Sequence, residues 1–302
     1  MYEHSHHTED RAGGRALRGA LVLTLTFAAV EFIVGWWGGS LALMADAGHM
    51  VTDSTALALA ALAAWIASRP ADKQHSWGHG RAEIIAALIN GAAMLILVGV
   101  IVANAIDRFQ NPVEVRGIAV LTVAALGLLI NLAVLRVLHG GNAGGNINVR
   151  GAMLHVIGDL LGSVAALASG AVILLTGWTP IDPILSLFIC VLILVAALRL
   201  LRTGLGVVME KVPAALDLEG VRDAMTGLED VVEIHDLHIW QISSERVALS
   251  AHVVLDDLEA WPELLARINA MLLERFGIDH PTLQPEPADL QNCNHENHQC
   301  HG

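Results

Sequence analysis

Residues 40–68 read SLALMADAGHMVTDSTALALAALAAWIAS. The stretch is long and apolar enough to cross a bilayer as one helix, which takes about 20 residues. It nevertheless carries Asp46, His49 and Asp53, groups whose burial at the centre of a bilayer costs roughly 3 kcal/mol or more each. Ionisable groups at that depth mark a pathway or a bound ion. His49 and Asp53 are four positions apart, so a helix puts them on one face.

The rest of the chain fits this reading. Of 302 residues, 54% are hydrophobic and 16% charged, and the mean hydropathy is +0.56, the composition of a membrane protein. Six apolar segments near 17–37, 41–66, 83–106, 117–138, 150–176 and 182–203 are each long enough to span. Pro112, Pro180 and Pro183 fall at segment ends or in connections, as continuous helices require. Helices are expected throughout, because lipid cannot satisfy exposed backbone groups.

Orientation follows from the loops. Arg11, Arg15, Arg18, Arg69, Lys73, Arg81, Arg136, Arg150, Arg199 and Arg202 fall on one side, and only Arg108 and Arg116 on the other. The positive-inside rule then puts both termini in the cytoplasm. Short loops and compact size favour a bacterial inner membrane over an organelle membrane. The polar start of the chain predicts no cleavable signal peptide. A net charge of −13 argues against nucleic acid as a partner. The three cysteines make no disulfide framework; Cys190, in an apolar run, reads as a packing residue.

After Arg202 the composition becomes that of a soluble domain. LEGVRDAMTGL reads as a helix, VVEIHDLHIWQIS and RVALSAHVVLD as two strands joined by a tight turn at Ser243–Glu245. WPELLARINAMLLERFG reads as an amphipathic helix with Gly277 past its end, and TLQPE as a last short strand. The expected architecture is an α-helical membrane protein with six transmembrane helices, followed by a C-terminal cytoplasmic α+β domain of order αββαβ. The expected divisions are a His-rich N-terminal tail at 1–16, a membrane domain at 17–203, a cytoplasmic domain at 204–290, and a disordered Cys/His tail at 291–302.

The fifth segment repeats the motif of the second: HVIGD carries His155 and Asp159 at the same spacing. If the two faces meet, two imidazoles and two carboxylates converge, a tetrahedral donor set that suits Zn²⁺. Each pair alone also reads as a hydrogen-bonded strut between helices, but two pairs at one spacing on two spans argue against that. Asp46 lies near the same face and reads equally as the lining of a water-filled entrance or as a polar cavity residue. Glu31 is a weaker candidate of the same kind. In the soluble part, His235 and His252 form the better cross-strand pair, because His235 and His238 differ by three and are expected on opposite faces of a strand.

ALMADAGHMVTDS, RPADKQHSWGHGRAEIIAAL, MLHVIGDLLGSV and VVEIHDLHIW resemble the signature segments of the cation diffusion facilitator family of zinc transporters, and the match runs over nearly the whole chain. The resemblance implies a homodimeric antiporter that exports divalent metal, Zn²⁺ above all, in exchange for protons, with a metallochaperone-like cytoplasmic domain. It implies His49, Asp53, His155 and Asp159 as the transport site. The HxxxD form on both spans resembles zinc-preferring members; a DxxxD on the second span is another form in the family.

The resemblance further implies a loop metal site at Asp72, His75 and His79, which on chemistry alone reads equally as three solvated polar residues. In the cytoplasmic domain it implies metal held by His235, His252 and Glu286. Gln284 stands where a His often stands, which leaves a full binuclear site in doubt, and His280 is a candidate to compensate. Arg81 and Glu210 resemble a charge interlock between the membrane and soluble parts; otherwise they are two independent interfacial charges. The His- and Cys-containing tails read equally as metal scavengers or as dispensable. An intramembrane metalloenzyme is disfavoured by the lack of an HExxH motif and of an open ligand position. A membrane-anchored metal sensor without transport remains the alternative, and metal flux separates the two.

Overall fold

The computed structural model describes residues 24–140, 147–243 and 246–288, with the side chains of residues 134 and 137–157 outside that description. The tails at 1–16 and 291–302 therefore lie outside the described residues. Six helices precede the soluble part: α1 (Thr24–Gly38), α2 (Leu41–Ala67), α3 (Arg81–Gln110), α4 (Gly117–Gly140), α5 (Ile147–Thr176) and α6 (Ile181–Val208). By length and composition α2, α3, the Gly158–Thr176 part of α5, and α6 are apolar enough to cross a membrane, while Thr24–Gly38 and Gly117–Ala133 are shorter apolar stretches. Helix α3 starts before its expected apolar segment and α6 runs beyond its own. Once nucleated, a helix propagates through good formers such as Arg81, Ala82 and Glu83 without an apolar face.

Packing divides the chain into two compact units, residues 24–61 with 89–201 and residues 62–88 with 202–288. The first unit inverts the rule for water-soluble proteins. Leu57, Ile96, Leu129 and Val191 are exposed on its outside, as a lipid-facing surface requires. Inside, Leu43, Ile189 and Ile193 pack together, but so do the polar Glu31, Asp46, Asn131, Ser163, Ser169 and Asp182, all buried. Helices α4 and α5 approach closely through small residues: a Cβ on Gly170 would stand 2.9 Å from the backbone nitrogen of Leu121.

One buried carboxylate ties several helices of this unit together. Asp182, at the start of α6, accepts from the Ser40 hydroxyl and the Leu41 N–H, both at 2.6 Å, from Ser169 Oγ at 3.0 Å and from Arg108 Nη1 at 3.2 Å. It thereby caps the N-terminus of α2 from a neighbouring helix, where unsatisfied N–H groups and the helix dipole favour a negative charge.

The second unit holds α7 (Leu218–Thr226), β1 (Glu233–Gln241), β2 (Val247–Leu255), α8 (Trp261–Phe276) and β3 (His280–Pro287), the expected αββαβ order. The sheet order is β1-β2-β3, with β1 antiparallel and β3 parallel to the central β2. The parallel pairing follows from the crossover through α8, whose buried Leu264, Ile268 and Leu272 recur every four residues along one face. Helix α8 stops at Gly277, left-handed at φ +66°, where the N–H of Ile278 bonds back to the carbonyl of Leu272 at 3.1 Å.

Strand β1 departs from simple alternation. A bulge between His235 and His238 shifts its register, and Asp236 takes a positive φ of 47°. Ile234, Leu237 and Ile239 all face the core, so His235 and His238 both point away from it. The expectation that they face opposite sides is corrected: the extra residue resets the parity of the strand.

Candidate metal sites

On α2 the helical period puts His49 and Asp53 one turn apart, and the first unit brings Asp159 of α5 to them. His49 Nε2 is 3.5 Å from Asp53 Oδ2 and 3.7 Å from Asp159 Oδ1. One donor atom from each of the three lies within 4.8 Å of the others. Both separations exceed an ordinary N–H···O hydrogen bond. They approach the spacing of two donors on a tetrahedral zinc ion, about 3.3 Å for bonds of about 2.0–2.1 Å. Asp46, His49 and Asp53 line a common cavity of about 170 Å³, closed on other sides by Met94, Ile189 and Ile193. The side chain of His155 lies outside the described residues; its backbone belongs to α5, one turn before Asp159.

The loop between α2 and α3 builds a second cluster. The Asp72 carboxylate accepts from the N–H groups of Gln74 at 2.8 Å and His75 at 2.7 Å, an Asx-type turn that folds the loop back on itself. These backbone donors, and then the adjacent His75 ring, hold the Asp72 carboxyl below its ordinary range. His75 Nδ1 lies 3.1 Å and His79 Nε2 3.9 Å from that carboxylate, and the two rings stand 4.4 Å apart. The loop therefore gathers all three expected residues at one point.

In the α+β fold, the register pairs His235 with His252, their rings 4.9 Å apart. Glu286 on β3 bridges them, with one oxygen 3.0 Å from His235 Nε2 and the other 2.7 Å from His252 Nδ1. Burial pushes the Glu286 carboxyl up, but the hydrogen bonds and charges of the two imidazoles outweigh it and leave it below its ordinary range. Gln284 donates to the same carboxylate at 3.1 Å, so it supports Glu286 from a position where a His would have added a ligand. Asp236 completes a donor cluster with the two histidines. It was not visible as a candidate in sequence, because only the bulge turns it to that face. His280 packs edge-on against Trp77 at 4.7 Å and takes no part in the cluster.

Arg81 and Glu210 stand 3.8 Å apart. Glu210 ends α6 in a left-handed conformation at φ +55°, with the N–H of Lys211 returning to the Gly206 carbonyl at 2.9 Å, which aims its side chain at Arg81. Both are well exposed, so the pair is worth at most about 1 kcal/mol.

A helical membrane part with ionisable groups converging on one cavity, joined to a small α+β fold with a histidine–carboxylate cluster, defines a membrane protein that handles metal cations. The model for the cation efflux transmembrane domain matches residues 17–209, and that for the cation efflux protein cytoplasmic domain matches residues 213–288. The chain belongs to the cation efflux, or cation diffusion facilitator, family of multi-pass membrane transporters. It is 44% identical over 275 residues to the zinc transporter ZitB of Yersinia pestis, covering 91% of this chain and 87% of that one. It is 36% identical to the cadmium, cobalt and zinc/H(+)-K(+) antiporter of Bacillus subtilis, covering 97% and 94%. The metal-bound C-terminal domain of the CzcD transporter from Cuprividus metallidurans shares 36% identity, covering 24% of this chain and 99% of that one, with a TM-score of 0.23.

Proposed function

We propose that this chain exports zinc from the cytoplasm in exchange for protons, and that His49, Asp53, His155 and Asp159 are the transport site. The observation that carries the reading is the meeting of His49 with Asp53 and Asp159 at 3.5 and 3.7 Å, a spacing into which a tetrahedral ion fits. The printed name of the Yersinia relative, a zinc transporter, supports the choice of metal; that of the Bacillus relative, an antiporter with H(+), supports the exchange.

Zinc requires neutral imidazole and ionised carboxylate, so it competes with protons for the same four side chains. With the site open to the cytoplasm, zinc displaces protons; with the site open to the other side, protons displace zinc. His49 and His155 are the natural carriers, because imidazole titrates near neutral pH. The proton gradient supplies the driving force.

The remaining assignments belong to the same proposal. The membrane domain occupies 17–203 in a bacterial inner membrane, with the tails at 1–16 and 291–302 and the domain at 204–290 in the cytoplasm. Asp72, His75 and His79 capture metal at the membrane surface. His235, His252 and Glu286 bind regulatory zinc in the cytoplasmic domain, which joins two chains as a homodimer. Metal there biases the transport equilibrium through its different affinity for the two states. Arg81 and Glu210 couple that domain to α3.

The test is zinc uptake into vesicles containing the purified protein. The parent should accumulate zinc against its gradient when the receiving side is acid, and Asp159→Ala should abolish uptake while leaving a folded dimer. Parental uptake by folded Asp159→Ala would remove the four-residue site.

A further inference from the structure

Two buried acids stand beside the transport cavity without belonging to the proposed ligand set. Glu31 on α1 is 0% and Asp46 on α2 is 2% exposed. Each carboxylate lies over a glycine of a neighbouring helix. A Cβ on Gly127 of α4 would stand 2.9 Å from Glu31 Oε1, and one on Gly162 of α5 would run into Asp46 Oδ1. Ser163 Oγ donates to Asp46 Oδ2 at 3.4 Å and accepts from Asn131 Nδ2 at 3.1 Å. Gly127 and Asn131 are one turn apart on α4, so Glu31 and the Asn131–Ser163–Asp46 chain meet the same face of that helix. Asp46 also lines the cavity that holds His49 and Asp53. A polar chain thus runs from Asn131 through Ser163 to Asp46 at the metal cavity, and Glu31 lies over Gly127, one turn from Asn131 on α4.

Glu31 is the unusual member. Neither of its carboxylate oxygens has a hydrogen-bond partner among the described residues. Its own helix presents Phe27 beside it, and α4 carries no charged residue from Gly117 to Leu135. The charged groups close enough to act on it are Asp46 of α2 and, one turn from Gly162 on α5, Asp159. Among the described residues no cation is paired with Glu31. Burial of a bare carboxylate in hydrocarbon costs several kcal/mol, a cost that a bound proton removes. A proton held there would lie one helical turn along α4 from the chain that ends at the Asp46 carboxylate.

Depth supports the direction of transfer. Glu31 lies one to two turns before the end of α1 at Gly38, and Asp46 one to two turns after the start of α2 at Leu41. Both are nearer the α1–α2 turn than His49 and Asp53 are. In the orientation proposed above, that turn faces the side where zinc leaves and protons enter.

We propose that Glu31 is a proton-carrying site of the exchange, delivering protons to the metal cavity through Asp46 as zinc departs. The inference rests on the antiport reading. In the step, the O–H bond of Glu31 breaks and one forms on the Asp46 carboxylate. Glu31 then takes a fresh proton from water on the far side, so each proton entering offsets part of the positive charge that leaves with zinc.

The experiment uses full-length protein in vesicles, with zinc uptake and proton counterflow followed together and equilibrium zinc binding measured on the same samples. Glu31→Gln keeps shape and polarity but cannot exchange a proton. The expected result is unchanged zinc affinity, with acceleration of uptake by an acid receiving side reduced at least about tenfold, within the range that a positioned proton-transfer group supplies. Parental proton counterflow in Glu31→Gln overturns the proposal, and so does loss of zinc binding, which would make Glu31 part of the metal site. If the parent moves no protons, the antiport reading itself fails, which is a different result. Should Glu31→Gln not fold, Ser163→Ala decides: it leaves both carboxyls in place but cuts the chain that joins Asn131 to Asp46, and must lower the response to acid. A parental response in Ser163→Ala overturns the proposal.

Discussion

Asp182 on α6 accepts a 2.6 Å hydrogen bond from the hydroxyl of Ser40, the residue that precedes α2. The two are 142 positions apart in sequence, yet the pair fixes the start of the helix that carries His49 and Asp53. Because Ser169 of α5 shares the same carboxylate at 3.0 Å, the helices bearing the two HxxxD motifs are tied to one anion at a single end.

Replacing that anion tests its weight. Asp182→Ala would leave the Arg108 guanidinium, the α2 N-terminus and two serine hydroxyls without their acceptor. Removing one partner of a buried charge network costs about 3–5 kcal/mol. Thermal unfolding in detergent should show a large fall in midpoint, with zinc binding weakened in the protein that still folds. An unchanged midpoint would show that α2 does not depend on this cap.

Imidazole in the membrane site sets metal preference. Nitrogen donors suit Zn²⁺, whereas all-oxygen sites suit harder cations such as Mn²⁺. His49→Asp should therefore reduce discrimination, so that excess Cd²⁺ or Mn²⁺ suppresses zinc uptake more in the variant than in the parent. Undiminished discrimination in competition assays would remove His49 from the ligand set.

Gly162 offers a test of geometry without removing any polar group. Alanine is the better helix former by about 1 kcal/mol, so Gly162→Ala should not lower helix stability by propensity. Its Cβ would meet the Asp46 carboxylate, which Ser163 holds in place. The expected outcome is zinc uptake reduced about tenfold or more with a near-parental unfolding midpoint, as small displacements near a site cost rate before stability. Equal uptake by both proteins would mean that Asp46 can move without consequence.

The cytoplasmic cluster should show itself in acid. Glu286 is held below its ordinary carboxyl range in the folded state, although burial opposes this. A group depressed on folding adds stability above its unfolded value and loses it as pH falls through the folded value. Denaturant unfolding of the soluble part should weaken from the ordinary carboxyl range downward, and Glu286→Gln should flatten that acid limb. The same substitution should reduce zinc bound per chain. An acid limb identical in parent and variant would exclude Glu286 as its source.

Much of this protein was legible in the sequence because the relevant regularities are local. The 3.6-residue period alone puts His49 beside Asp53. Apolar length marks the spans, and alternation with turn residues marks the αββαβ order of the soluble part. The pairing of His235 with His252 follows from two strands and a short turn. What the tertiary structure decided depends on contacts between distant segments or on single irregularities. No local pattern states that Asp159 comes within 3.7 Å of His49, since that distance is set by how α2 and α5 pack. Asp182 reads in sequence as a charge at a loop edge, and only folding shows it buried with Ser40, Leu41, Ser169 and Arg108. The glycines under Glu31 and Asp46 look like ordinary small membrane residues until the neighbouring carboxylates are in place. The bulge at Asp236 shows why strand parity cannot be counted from sequence. One extra residue in β1 brings His238 to the face of His235, and it turns on how β1 pairs with β2, a long-range choice that alternation does not encode.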